Sequence, residues 1–181
     1  MQEEKKHPPL QILQVLPALQ SGGVERGTID LASFLKQKGH VPFVASKGGD
    51  LCRALQEKKI KHFYFNLASK NPFVILKNAF RLKEIVRAYK IDLIHARSRA
   101  PAWSAYLAAQ MAKVPFVTTF HGTYNFEETF LGRFKKAYNS VMARGEGVIA
   151  ISQYIQDHIL AHYEKNLKPN ALHLINRGVD L

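Results

Sequence analysis

The chain has 181 residues, of which 46% are hydrophobic and 22% charged, enough for one domain with its own core and unlike a disordered segment. Twenty-six Lys and Arg against fourteen Asp and Glu give a net charge of +12, which favours an anionic partner: a phosphorylated substrate, an acidic membrane leaflet or nucleic acid. A single cysteine, Cys52, excludes an internal disulfide framework and fits a reducing compartment.

Met1 to Pro9 is charged and proline-containing, and the apolar stretch that follows, Leu10 to Leu19, is broken by Gln11, Gln14 and Pro17. That is too short and too polar for a signal sequence or a spanning helix, and no later run reaches membrane length, so a cytoplasmic location is expected. From there β-rich runs alternate with longer helical stretches. The pattern predicts a strand at 10–16, a helix at 24–38, a strand at 41–46, a helix at 51–58 and a strand at 61–65. It continues with a helix at 72–89, a strand at 93–96, a helix at 101–112, a strand at 116–120, a helix at 130–144, a strand at 147–151, a helix at 153–163 and a strand at 172–175. Several strands are almost wholly apolar, such as Val148-Ile149-Ala150-Ile151, as expected where helices cover both faces of a parallel sheet. The predicted fold is a doubly wound, mostly parallel α/β sheet of the Rossmann-like kind, in one domain over 1–181. Gly39 and Ser152 stand where a C-terminal and an N-terminal helix cap belong, and Pro72 and Pro101 at helix starts.

The first strand runs into Ser21-Gly22-Gly23-Val24-Glu25-Arg26. Paired glycines at a strand-to-helix turn let the backbone approach a ligand, and the helix N-terminus offers free N–H groups to a phosphate. As it stands the pair also fits a plain tight turn. A dinucleotide site would need G-x-G-x-x-G and an acid ending the second strand, whereas Gly22, Gly23 and Gly27 are spaced otherwise and Ser46-Lys47-Gly48-Gly49 ends that strand. No P-loop motif occurs. His158 and His162 are four apart on one helix face, but Ile159 stands where the H-E-x-x-H zinc motif requires a glutamate, and no third ligand follows; an exposed polar face is expected, and no metal.

The Ser21–Arg26 turn, Ile91-Asp92-Leu93-Ile94-His95-Ala96, then Thr119-Phe120-His121-Gly122 and Asn176-Arg177-Gly178-Val179-Asp180 come in the order and spacing of glycosyltransferase family 4, which the chain resembles over most of 10–181. Arg177 stands between Asn176 and Gly178, where the commonest form of that turn has no insertion. The resemblance implies the N-terminal, acceptor-side domain of a two-domain GT-B enzyme. It implies retaining, metal-independent transfer from a nucleotide sugar in a cleft between two Rossmann-like domains. Gly22 and Gly23 would meet the donor diphosphate, His121 would hydrogen-bond the transferred sugar in the catalytic position, and Gly122 would leave room for it. The donor-binding Arg, Lys and acidic motif belong to the C-terminal domain, which is expected to lie outside this chain. Independently, His121 ends an apolar strand at the sheet's carboxyl edge beside a glycine, which points it into the ligand crevice, where a neutral imidazole can donate to or accept from a sugar hydroxyl.

Arg97, Ser98 and Arg99 follow the fourth strand at the same edge and are candidate acceptor contacts, since guanidinium groups suit phosphate or carboxylate oxygens; solvated loop charges are the alternative. Tyr124 is placed to line the same mouth. In the helix from Pro72, Ile75, Ala79, Leu82, Ile85, Val86 and Tyr89 form one arc at about 100° per residue and should face the sheet. The opposite arc carries Lys77, Arg81, Lys83, Arg87 and Lys90, with Phe73, Leu76 and Phe80 among them. Bulky apolar groups within a basic face suit an anionic membrane surface; packing beneath a neighbouring loop is the alternative. The helix from Phe130 adds Arg133, Lys136 and Arg144 outside its own core face. The expected function is sugar transfer to a lipid-linked or lipopolysaccharide-type acceptor at the inner face of the cytoplasmic membrane. The alternative is a non-catalytic basic α/β module that binds a phosphorylated ligand or a partner protein. No nucleic-acid-binding motif is present, and the aromatics follow core periodicity rather than forming a stacking platform, which argues against nucleic acid.

Overall fold

The computed structural model describes residues 8–124 and 129–178. Seven strands form one sheet: β1 (Gln11–Val15), β2 (Val41–Ser46), β3 (Lys61–Tyr64), β4 (Leu93–Ala96), β5 (Phe116–Phe120), β6 (Gly147–Ala150) and β7 (Leu172–Leu174). Their spatial order is β3-β2-β1-β4-β5-β6-β7, and every pair is parallel. The order reverses at β1, so the sheet is doubly wound, as the alternation of strands and helices predicts. Its connecting helices are α1 (Gly23–Gln37), α2 (Cys52–Glu57), α3 (Pro72–Ala88), α4 (Arg99–Ala112), α5 (Phe130–Asn139) and α6 (Gln153–Tyr163).

Strand period and helix packing divide the core in two. Leu13, Val15, Ile94, Ala96, Phe116, Phe120, Val148 and Ala150 point to one face, where they meet Leu82 and Val86 of α3, the alanines of α4 and Ile155 and Ile159 of α6. Leu16, Val44, Leu19 and Ile60 make a smaller core with Ile29 and Ala32 of α1 and Leu55 of α2. The α1 side is covered over β1–β3. Over β4–β7 it carries His95 and Thr119, and there the sheet is open to a crevice.

Two boundaries differ from the sequence-based expectation by two residues or more, the others by at most one. The helix read over 130–144 ends at Asn139 and passes into a 3₁₀ turn, Ser140–Ala143. All four turn residues are buried, which a helix of period 3.6 with one wet face cannot achieve; the Thr118 hydroxyl bonds the Met142 carbonyl there. Arg144, expected outside the core face, lies over the Trp103 ring at 5.5 Å and reaches the Ser140 hydroxyl. Helix α4 starts two residues earlier than read, at Arg99, with Ser98 in the N-cap position, so Pro101 sits inside the first turn where its missing N–H costs nothing. The expected caps are found: Gly39 has φ of +86°, and Ser152 accepts from the Ile155 N–H at 3.3 Å. Asn71 caps α3 by accepting from Phe73 N–H at 2.9 Å.

Candidate functional site

The crevice lies on the α1 side at the carboxyl edge of the sheet, has a volume of about 360 Å³, and is walled by α1, β4, β5, β6 and the segment after β7. Each wall follows from local sequence. Gln14, His95 and Thr119 are polar residues of mostly apolar strands and fall on the face toward α1, as alternation requires. Gln14 donates to the Thr28 carbonyl in α1 at 3.0 Å, which anchors that helix. His95 Nε2 and the Thr119 hydroxyl lie 2.8 Å apart on adjoining strands. Burial, with Arg97 and His121 beside it, holds the His95 pKa well below the ordinary value, so its ring is neutral.

Two residues past Thr119, His121 continues along the same face. Neither of its ring nitrogens has a hydrogen-bond partner. Burial, then the Arg97 and Arg177 cations, pulls its pKa down to about 3. At neutral pH His121 is therefore a neutral imidazole, able to donate from one nitrogen and accept at the other but holding no imidazolium proton to give. A buried polar group left without a partner costs on the order of 1–3 kcal/mol, a penalty that a ligand hydroxyl in the crevice would remove.

Arg97, one residue past β4, is 7% exposed and lines the crevice with its Nε unpartnered. Burial and the neighbouring Arg177 pull its pKa down to about 10, which leaves it charged. Arg177 enters from the other side, from the segment after β7, and donates to the Gly23 carbonyl in the first turn of α1. No side chain caps that helix, whose N-cap is Gly22. A Cβ on Gly22 would meet only the flexible Glu25 carboxylate, and one on Gly122 would meet nothing within 4 Å.

The site residues expected from sequence thus divide. His121 and Arg97 come together in the crevice, with Gly22 and Gly23 in the turn beside it. Ser98 and Arg99 do not line the crevice. Ser98 is occupied as the N-cap position of α4, and the Arg99 guanidinium turns toward Asn139 Oδ1 at 3.2 Å and lies 4.9 Å from the Tyr124 ring. Tyr124, placed by the sequence reading at the same mouth as His121, packs instead on Phe120 of the α3–α6 face at 5.1 Å. Tyr124 lies in the loop past β5, and its backbone bond to His158 with its ring on Phe120 holds it on that side. His95, Thr119, Gly27, Asp30 and Arg177 line the crevice without having been selected from sequence as ligand contacts. A polar residue on the inward face of an apolar strand would have flagged His95 and Thr119; no local signal brings Arg177 to a helix 154 residues away.

His158 also departs from the expected exposed polar face. Its Nε2 accepts from the Tyr124 backbone N–H at 3.4 Å, and its ring lies 4.7 Å from that of His162. Among the described residues no group of three or more His, Cys, Asp or Glu side chains is arranged as a metal site, and no helix is long and apolar enough to cross a membrane.

The model of glycosyltransferase family 4 matches residues 21–181, which span the Gly22-Gly23 turn, the crevice strands and the segment after β7. The chain belongs to glycosyltransferase family 4. A glycosyltransferase from Rickettsia africae is 47% identical, with a TM-score of 0.81 over 96% of this chain and 44% of that one. An Anabaena protein, HepE, solved with UDP and glucose, shares the fold at a TM-score of 0.70 and 20% identity, over 94% of this chain and 45% of its own. A 58-residue stretch is 36% identical to the N,N'-diacetylbacillosaminyl-diphospho-undecaprenol α-1,3-N-acetylgalactosaminyltransferase of Campylobacter jejuni, covering 32% of this chain and 15% of that protein. The family-4 chain described here spans less than half the length of each of these relatives.

Proposed function

We propose that this domain forms one wall of a sugar-transfer site, acting in retaining transfer from a nucleotide sugar to a lipid-linked acceptor, and that a second domain supplies the other wall. The observation that carries the reading is the crevice itself: a neutral, unpartnered His121 beside Arg97 and Arg177 at the carboxyl edge of a family-4 sheet. In an open α/β sheet this edge is where ligands bind. His121 would hydrogen-bond a hydroxyl of the transferred sugar, with Gly122 leaving space beside it. The uncapped first turn of α1 at Gly22 and Gly23 would face the donor diphosphate. The lipid-linked acceptor is supported by the diphospho-undecaprenol acceptor for which the Campylobacter jejuni relative is named, and a nucleotide-sugar donor by the UDP and glucose of the Anabaena protein.

Access to a lipid-linked acceptor is supported at the surface. Phe73, Leu76 and Phe80 are 84%, 47% and 50% exposed on α3, with Lys77 and Arg81 among them. Among the described residues no loop covers the Phe73 ring, which favours the surface reading over packing beneath a loop. Arg81 also lies 4.4 Å over the Phe65 ring, and Lys83, expected on the outer arc, is half-buried. A second helix adds Phe130, Leu131 and Phe134, 73%, 77% and 62% exposed, beside Arg133 and Lys135. Both helices start at the carboxyl edge, because every strand is parallel, so both aromatic groups lie at the end of the molecule that carries the crevice. A peripheral contact with the anionic inner leaflet follows from that placement.

His121→Ala in the full-length protein tests the site. Turnover should fall roughly ten- to a hundredfold, the worth of one or two hydrogen bonds made in the transition state, with the melting temperature unchanged or raised. A variant that melts earlier but keeps its rate per folded molecule would make His121 a structural residue.

A further inference from the structure

We propose that Arg97 and Arg177 form a two-arginine cradle for a phosphoryl group, set against the glycine face of α1. The cradle deepens the sugar-transfer reading, on which the identity of the phosphate's carrier rests, while the site itself rests on its own geometry. Gly23 and Gly27 are four apart and share one face of α1. A Cβ at Gly23 would lie 3.3 Å from both terminal nitrogens of Arg177. A Cβ at Gly27 would lie 3.2 Å from Arg97 Nη2 and 3.4 Å from Arg177 Nη2. The two guanidinium groups therefore converge on a single point of the helix surface. Gly27 is a residue that a helix interior otherwise disfavours, and its missing side chain is what admits them.

Like charges brought together need a counter-ion, and the described residues do not provide one. Arg97 makes no side-chain hydrogen bond or ion pair among them, although it is 7% exposed. Asp30, the acid among the lining residues, pairs with neither arginine. Burying a cation in this way is costly unless an anion completes it. Two guanidinium forks, one of them tied to the Gly23 carbonyl in the uncapped first turn of α1, present N–H donors from two directions. That arrangement fits the several oxygens of a tetrahedral phosphate better than one planar carboxylate. Phosphate placed there would also offset the field of the two arginines on His121, which faces both with His95 behind it and Asp30 on the α1 wall. The carrier is either the diphosphate of the sugar donor or a phosphate on the acceptor.

Titration of the 181-residue chain with inorganic phosphate at constant ionic strength tests the cradle, read by the His121 ring signals in NMR and by the melting temperature. Wild type should show a saturable change, with His121 titrating at higher pH in phosphate than in chloride. Arg177→Gln and Arg97→Gln should each weaken binding about tenfold or more, the usual worth of a charge-assisted hydrogen bond, while Lys70→Gln should leave it unchanged. Arg177 is exposed, so its variant decides the matter if Arg97→Gln fails to fold. No saturable response in wild type, or equal binding by Arg177→Gln, would overturn the proposal. Competition then names the carrier: UDP displacing phosphate more strongly than a soluble prenyl diphosphate assigns the donor, the reverse assigns the acceptor. Failure of both to displace it would remove the cradle from the substrate site. Phosphate binding by this chain with no sugar transfer by the full-length protein would sink the enzymatic reading and leave the cradle, whereas transfer by the full-length protein with no phosphate binding here would do the opposite.

Discussion

His121 titrates far from its ordinary range because two cations and burial act on it together, and this has a consequence for stability. Its pKa of about 3 in the folded chain lies below the ordinary value near 6.5. Between those limits the unfolded chain takes up a proton that the folded chain refuses, so folding stability falls as pH drops through 6.5 toward 3. His95, shifted in the same direction, adds to the slope. Replacing His121 with Gln should flatten the loss of stability between pH 7 and pH 4.5, measured by urea unfolding at several pH values. Parallel slopes for the two proteins would show that the ring is more solvated than its surroundings indicate. At this scale the sequence was only partly informative. His121 and Arg97 stand at strand ends, and strand ends are readable. Arg177 looked like an interruption in a turn, because its meaning comes from a helix at the other end of the chain. Arg99 and Tyr124 are near the crevice in sequence, but the first turn of α4 and the loop after β5 turn them toward Asn139 and Phe120, contacts that no local pattern carries.

Helix α3 shows how far periodicity carries at the level of an element. The predicted inner arc is the buried one, with Ala79, Leu82 and Val86 sealed and Ile75, Ile85 and Tyr89 half-buried. Leu82→Ala should therefore cost about 2–5 kcal/mol, the range for deleting a fully packed leucine, in a denaturant titration. A cost below about 1 kcal/mol would mean that the α3 contact collapses to fill the space. Asn78, buried and donating to the Asn66 carbonyl at 2.9 Å, was not legible, since its partner is a loop backbone. The end of α5 was not legible either, because four successive buried residues carry no helical period. The outer faces of α3 and α5 give a separate prediction. Vesicles rich in anionic lipid should bind the chain reversibly and salt-sensitively, each basic residue near the surface contributing on the order of 1 kcal/mol. Phe73→Ser/Phe80→Ser, Lys77→Glu/Arg81→Glu and Phe130→Ser/Phe134→Ser should each reduce co-sedimentation. Equal binding by all three variants would leave these aromatics without a membrane role.

For the molecule as a whole, the alternation of strands and helices foretold the doubly wound sheet, and the crevice lies at its carboxyl edge. Which half of the sheet stays uncovered on the α1 side follows from the crossover order, a long-range property that local patterns do not carry. On the proposed reading the crevice would hold a sugar and a phosphate from one side only, and rate enhancement requires the reacting groups to be held from both. The most direct measurement compares sugar transfer by the 181-residue chain and by the full-length protein, using a panel of UDP-sugars and a diphospho-undecaprenol acceptor in vesicles. The full-length protein should transfer sugar, and the folded, phosphate-binding chain alone should not. Transfer by the 181-residue chain at a comparable rate, or by a full-length His121→Ala variant at the wild-type rate, would contradict the account.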